Sequence, residues 1–200
     1  MKFISFYTPN GNYPALARQL ETSLKKFDLD HDIELIESFD SWLSGVDNKA
    51  KFIKDKLLEY KDTVVWLDID TEIKQFPELL FGDEQLALFN WFAVDQHILQ
   101  QQAGFPFDPR TKQLLNGGAV SKWSYTKECI ELLDLWIDCL QRPHETDDQM
   151  LDVAWSLFDH KNITYRWLPD SYNVIESMFT DSVDPVILHH FNNKAHRDSK

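Results

Sequence analysis

The sequence predicts an α/β fold built on a mostly parallel sheet, and three observations lead there. The first is the stretch Thr63-Val64-Val65-Trp66-Leu67-Asp68-Ile69-Asp70-Thr71-Glu72-Ile73. Its apolar run is nearly continuous rather than alternating, as expected of a strand buried on both faces. The second is the order strand, turn, helix, strand over the first 37 residues, the opening of a parallel sheet. The third is bulk: 200 residues, 43% hydrophobic and 14% aromatic with seven Trp and fourteen Phe. That is enough to bury a full core without cross-links, so residues 1–200 read as a single domain with a polar tail at 192–200.

Taken in order, Lys2 to Tyr7 is a first strand, closed by the turn cluster Thr8-Pro9-Asn10-Gly11-Asn12. Pro14 suits a first helical turn, and Leu16, Leu20, Leu24 and Phe27 follow at helical spacing. His31 to Glu37 alternates and reads as a strand. Phe39 to Val46 reads as a loop carrying Trp42, and Asn48 to Tyr60 as a helix with Phe52, Ile53, Leu57 and Tyr60 inward and lysines outward. After the central stretch come a short helical turn at 76–81 and a strand from Gln85 to Val94. A polar, irregular segment from Asp95 to Lys112 follows. In Leu114-Leu115-Asn116-Gly117-Gly118-Ala119-Val120-Ser121 the paired glycines break an apolar strand, marking either a bulge or a place where a ligand nears the backbone. Thr126 to Leu140 is a helix with Ile130, Leu133, Ile137 and Leu140 inward, ended by Arg142-Pro143-His144. Thr146 to Phe158 is another, with Met150, Val153, Ala154 and Leu157 inward. Ile163 to Leu168 and Val186 to Phe191 are the last strands.

The formal charge of −13 disfavours nucleic-acid and anionic-membrane partners, which require clustered Lys and Arg. A small phosphorylated ligand remains compatible, because a bound cation reverses the local field. Cys129 and Cys139 lie ten residues apart on one helix, roughly 15 Å at the helical rise, too far to bridge. With no long apolar segment, the expectation is a cytoplasmic chain without an integral membrane span.

Asp68 and Asp70 form the first constellation of chemical interest. At the carboxyl end of a buried strand they emerge where open α/β sheets bind ligands, and their mutual repulsion favours a hard divalent ion such as Mn²⁺ or Mg²⁺. The competing reading is a strand ending in a turn. The second constellation is Thr146-Asp147-Asp148-Gln149, which fits a helix capping box and equally a carboxylate, Asp148 or Asp147, aimed into a site as a base. The third is His189 or His190, with Lys194 after it, a metal-ligand and phosphate-partner pair. Trp42, Trp91 and Phe105 are candidates for core, acceptor platform or interface.

In this order the pieces resemble the nucleotide-diphospho-sugar transferases of the GT-A fold over nearly the whole chain. Lys49-Ala50-Lys51-Phe52-Ile53 leading to Val64-Val65-Trp66-Leu67-Asp68-Ile69-Asp70 is similar to that family's lysine-bearing helix and Asp-x-Asp. Asn116-Gly117-Gly118 is similar to its acceptor-side strand, Asp147-Asp148-Gln149 to its acidic-Gln helix start, and Ile187-Leu188-His189-His190 to its terminal strand. The resemblance implies a single Rossmann-like GT-A domain with a mixed, mostly parallel sheet flanked by helices. It implies a glycosyltransferase that moves a sugar from a nucleoside diphosphate sugar, a UDP-sugar, to a glycan or other hydroxyl acceptor. Asp68, Asp70 and His190 would hold Mn²⁺ or Mg²⁺; Thr8, Lys49 and Lys194 would contact the donor; Asn116 and Asp148 would face sugar and acceptor. Ala50 stands where the family often has proline, and Asn192-Asn193 where it has glycine. The rival is a haloacid-dehalogenase-like phosphatase with Asp68 as nucleophile and Asp70 as acid and base, although 67 residues precede the motif. A third reading is a nucleotide- or sugar-binding relative without turnover.

Overall fold

The structure, a computed structural model, describes residues 1–90, 116–175 and 183–190. The chain opens with β1 (Lys2–Tyr7), α1 (Tyr13–Lys26), β2 (His31–Leu35), α2 (Trp42–Tyr60) and β3 (Val64–Leu67). Next come β4 (Thr71–Ile73), a 3-10 turn at Glu78–Phe81, β5 (Leu86–Asn90), β6 (Asn116–Trp123), α3 (Lys127–Cys139) and α4 (Asp147–Leu157). It closes with β7 (Tyr165–Leu168), β8 (Val174–Ile175) and β9 (Ile187–His189). Six strands form the main sheet in the order β2-β1-β3-β6-β5-β7, and β6 runs against the other five. A small second sheet, β4-β9-β8, stands beside it.

The alternation of side chains across the central strands fixes the layers. Ile4, Val64, Trp66, Leu86, Leu88 and Trp123 point to one face and pack with α2, α3 and α4. Phe3, Val65, Leu67 and Ala87 point to the other, where Leu16, Leu20 and Leu24 of α1 cover them. All four residues of β3 are buried, so the continuous apolar run reflects helices on both sides.

Several expectations are corrected. The helix read from Asn48 begins at Trp42, because Ser41 caps it by accepting from the Ser44 amide at 3.1 Å. Lys49 and Lys56 on that helix are buried rather than outward, each held by carboxylates. In α3 the inward face centres on Leu132, Leu133, Trp136 and the two cysteines. In α4 it centres on Met150, Leu151, Ala154 and Trp155, leaving Leu157 57% exposed. The central stretch is two strands in two sheets, with the turn at Asp68–Asp70 between them. Residues 91–94 of the expected strand, the polar segment at 95–112, Trp91, Phe105, Lys194 and the tail lie outside the described residues.

Candidate active site

β1 and β3 are parallel, so Thr8 and Asp68 both follow strand ends on the same edge of the sheet. β6 runs the other way, and Asn116, which opens it opposite Asn90, starts at that edge. The Asp68 amide donates to the Ala119 carbonyl at 2.8 Å, carrying β3 one residue beyond its last rung. The chain then turns: the Thr71 amide and hydroxyl both donate to the Asp68 carbonyl, at 3.0 and 2.7 Å. The turn reading of Asp-x-Asp is therefore correct for the backbone, and it leaves both carboxylates projecting at the edge.

Asp68, Asp70 and His189 present ligand atoms that all lie within 4.8 Å of one another. The two expected aspartates come together, but the histidine beside them is His189, not His190. Successive residues of a strand face opposite ways, and β9 turns His189 inward, its Nε2 3.1 Å from Asp70 Oδ1. His190 faces away, toward Glu72 at 2.9 Å and Gln19 at 2.8 Å, while its amide donates to the Asp70 carbonyl. On the inner side, His189 Nδ1 is 3.2 Å from Oδ1 of the buried Asn173, an acceptor that keeps a proton on Nδ1 and leaves Nε2 to bind. Neither Asn173 nor the two-residue strand β8 after it has a signal in the sequence. Two carboxylates and one oriented imidazole are a donor set that suits Mn²⁺ or Mg²⁺.

Lys49 is the centre of a second layer. Its ammonium is fully buried, 3.0 Å from Asp68 Oδ1 and 2.9 Å from Asp147 Oδ2. Asp68 Oδ1 also accepts from the Trp66 indole at 2.8 Å. The Gly118 amide donates to Asp148 Oδ1 at 2.6 Å. Gly118 is where β6 slips in register against β5 between Leu88 and Phe89. It is also where a Cβ would come within 2.5 Å of Asp148, 3.0 Å of Lys49 and 3.3 Å of Asp147. The bulge reading of the glycine pair holds, and what nears the backbone there is the chain's own charged side chains. The cap reading of Thr146-Asp147-Asp148-Gln149 holds. Thr146 caps α4 by accepting from the Gln149 amide, and the two acids behind the cap point at Lys49 and Gly118.

One lysine does not neutralise this many acids. Burial, then the Asp147 charge, push the Asp148 carboxyl up to about 8, against the pull of Lys49. Burial likewise raises Asp147. Burial alone would lower the Lys49 ammonium, but Asp147 and Asp68 hold it above its usual value. Burial acts to lower His189, but Asp70 holds it above its ordinary 6.5. Two cations, Lys49 and His189, thus face the four acids Asp68, Asp70, Asp147 and Asp148, an excess of acid that favours a further cation.

No protein-family model matches the chain, and no curated protein matches it by sequence. Solved structures do match it in fold. A glycosyltransferase involved in the glycosylation of the major capsid of PBCV-1 superposes with a TM-score of 0.69 at 13% identity, covering 97% of this chain and 94% of that one. The glycosyltransferase GlyE of Streptococcus pneumoniae TIGR4 gives 0.56 at 18% identity, over 96% of this chain and 55% of GlyE. The galactosyltransferase LgtC, solved in complex with donor and acceptor sugar analogues, gives 0.53 at 14%, over 99% and 90%. Among the described residues no helix is long and apolar enough to cross a membrane. The chain has the mixed α/β fold of these glycosyltransferases, the GT-A architecture that its motifs imply.

Proposed function

We propose that the chain is a glycosyltransferase that moves a sugar from a nucleoside diphosphate sugar, a UDP-sugar in the first instance, to an acceptor hydroxyl. The observation that carries this reading is the convergence of Asp68, Asp70 and His189 on the carboxyl edge of the sheet, with Asp148 beside them under Gly118. Asp68, Asp70 and His189 would hold Mn²⁺ or Mg²⁺, which stabilises charge on the departing diphosphate when bound. Lys49 fixes Asp68 from behind. Thr8, just after β1, would contact the nucleoside and Asn116 the sugar and acceptor; Lys194 is proposed for the diphosphate from its sequence position alone.

In the transfer, the bond between the anomeric carbon and the diphosphate oxygen breaks as one to the acceptor oxygen forms. The acceptor proton must go to a base. An inverting course uses Asp148 for this, and in a retaining course the departing diphosphate oxygen takes it, so no protein base is needed. The anomeric configuration of the product decides between them. The phosphatase reading would make Asp68 the nucleophile; its Oδ1 is held by Lys49 and Trp66, so the attack would fall to Oδ2.

The experiment is calorimetric titration of UDP and UDP-sugars with and without Mn²⁺, beside Asp70→Ala. Metal-dependent binding that disappears in the variant supports the proposal, and donor preference begins to name the sugar. Absence of nucleotide binding under both conditions would remove it. Binding without turnover, unchanged by Asp148→Asn, would leave a nucleotide-sugar binding relative instead.

A further inference from the structure

The connection between α3 and α4 carries a histidine that the site described above does not use. His144 is nearly enclosed, with 4% of its side chain exposed. Its Nδ1 is 2.6 Å from the Arg142 carbonyl oxygen and its Nε2 is 2.8 Å from Asp47 Oδ1. A carbonyl and an ionised carboxylate can only accept, so both ring nitrogens have to donate. A neutral imidazole carries one N–H and cannot do this. The geometry is that of an imidazolium.

Its place in the fold gives that cation a task. Asp47 belongs to α2 and lies two residues before Lys49; His144 lies three residues before Asp147. The contact therefore ties the helix bearing the buried lysine to the entry of the helix bearing the two buried acids, 97 residues later. The charged groups that face His144 are Asp47 from α2 and Asp147 from α4, while its own segment supplies the Arg142 carbonyl. Pro143, between the two, restricts the backbone of that segment.

We propose that His144 is a positioning residue: its imidazolium, clamped between Asp47 and the Arg142 carbonyl, holds the start of α4 against α2 and so sets where Asp147 and Asp148 stand. Burial acts to lower His144, but the Arg142 carbonyl and the two aspartates outweigh it, so it titrates above its ordinary 6.5. A base whose folded value is raised contributes its stability fully below the ordinary value and loses it as pH rises through the folded one. The clamp is closed in mild acid and opens toward alkaline pH. Its effect on turnover rests on the transferase reading; the clamp itself does not.

The test uses ¹⁵N spectra of the imidazoles, amide exchange in the first two turns of α4, and turnover, each against pH. The variants are His144→Gln, whose amide donates from a single nitrogen and carries no charge, and Asp47→Asn, which keeps the hydrogen-bond acceptor without the carboxylate charge. Both His144 nitrogens should be protonated at pH 6, with a midpoint above 6.5 that Asp47→Asn moves down. Exchange in α4, corrected for the intrinsic effect of pH, should accelerate on the order of tenfold through that midpoint, as expected for loss of a charged hydrogen bond. In His144→Gln it should be fast at all pH. Turnover should follow the same curve in kcat, with KM for the nucleotide nearly constant, since its proposed ligands are elsewhere. A singly protonated ring at pH 6, or unchanged α4 exchange in His144→Gln, would overturn the proposal. If His144→Gln does not fold, the midpoint and α4 exchange of Asp47→Asn decide it. If the wild type binds no nucleotide, the transferase reading falls, while spectra and exchange still decide the clamp.

Discussion

Gly118→Ala tests the close packing on which the site depends. The added Cβ would lie 2.5 Å from Asp148 Oδ1, 3.0 Å from Lys49 Nζ and 3.3 Å from Asp147 Oδ2. To reach ordinary contact, Asp148 Oδ1 has to retreat by about 0.9 Å, from a position where it accepts from the Gly118 amide at 2.6 Å. That movement stretches the bond to the limit of hydrogen bonding. The flexible end of Lys49 gives no easy escape, because its ammonium is pinned between Asp68 and Asp147 in a fully buried place. Overpacking of this kind costs about 1–3 kcal/mol, and a hydrogen bond to a charged group contributes in the same range. A loss of about 2 kcal/mol lowers Tm by roughly 4–8 °C in a domain of this size. Displacing a reacting group by about 1 Å costs on the order of 10²-fold in rate. The assay pairs thermal unfolding with turnover of the donor that calorimetry selects. Wild-type Tm and wild-type kcat together would refute the reasoning, since the three charged groups would then be free to move. A lowered Tm with unchanged kcat would refute only the role of Asp148.

Lys49→Met leaves the buried Asp147 without its counter-ion, and breaking a buried pair in this way costs about 3–5 kcal/mol; urea unfolding at pH 7 should show it, and a milder loss at pH 5 is expected because burial raises Asp147 and favours its neutral form there. Asp32, on β2, is opposed by burial but held below its ordinary 3.8 by bonds from Tyr60 and Lys56. A depressed acid contributes stability above 3.8 that is lost as pH falls through the folded value, so Asp32→Asn should flatten the decline of Tm as pH falls below 3.8. Glu72→Gln replaces the partner of His190 on the outer face of β9; it should lower Tm with little change in Mn²⁺ affinity, whereas His189→Gln should weaken Mn²⁺ binding, both measurable by calorimetry.

What was legible in the sequence was local. β1 has the boundaries its composition predicts, the Thr146 cap has its expected donor, the Gln149 amide, and the apolar run ending at Asp68 marks the strand at the middle of the fold. Each of these depends on neighbours a few residues away. The choice between His189 and His190 was not legible, because it depends on the phase of a three-residue strand that borrows its register from β4 and β8. The burial of Lys49 and Lys56 was hidden for the same reason. Their carboxylate partners come from β2, from the turn after β3 and from α4, and amphipathic spacing assigns a lysine outward by default. His144 read as the end of a helix, since nothing within its own segment announces Asp47. The early start of α2 was missed because Ser44, Gly45 and Asp47 are weak helix formers that tertiary contacts override.

The charge balance at the sheet edge leads to a last prediction. With Asp148 raised to about 8 and Asp147 raised beside it, the pair retains a proton near neutral pH when no cation is present. A protonated Asp148 cannot accept a proton from an acceptor hydroxyl. A divalent ion held by Asp68 and Asp70 adds positive charge next to Lys49 and favours the ionised form of the pair. Cation binding and arming of the base are thus linked: adding Mn²⁺ at pH 7 should release a fraction of a proton. Calorimetry in two buffers of different ionisation enthalpy measures that fraction as a difference in apparent heat. Asp148→Asn removes the raised acid and isolates its share of the release. In that variant the release at pH 7 should shrink to the proton that His189, held above its ordinary 6.5 by Asp70, gives up on ligation. Equal heats in both buffers for the wild type, or the same release from Asp148→Asn, would disconnect the acids of α4 from the cation site and leave the sheet edge with two independent clusters.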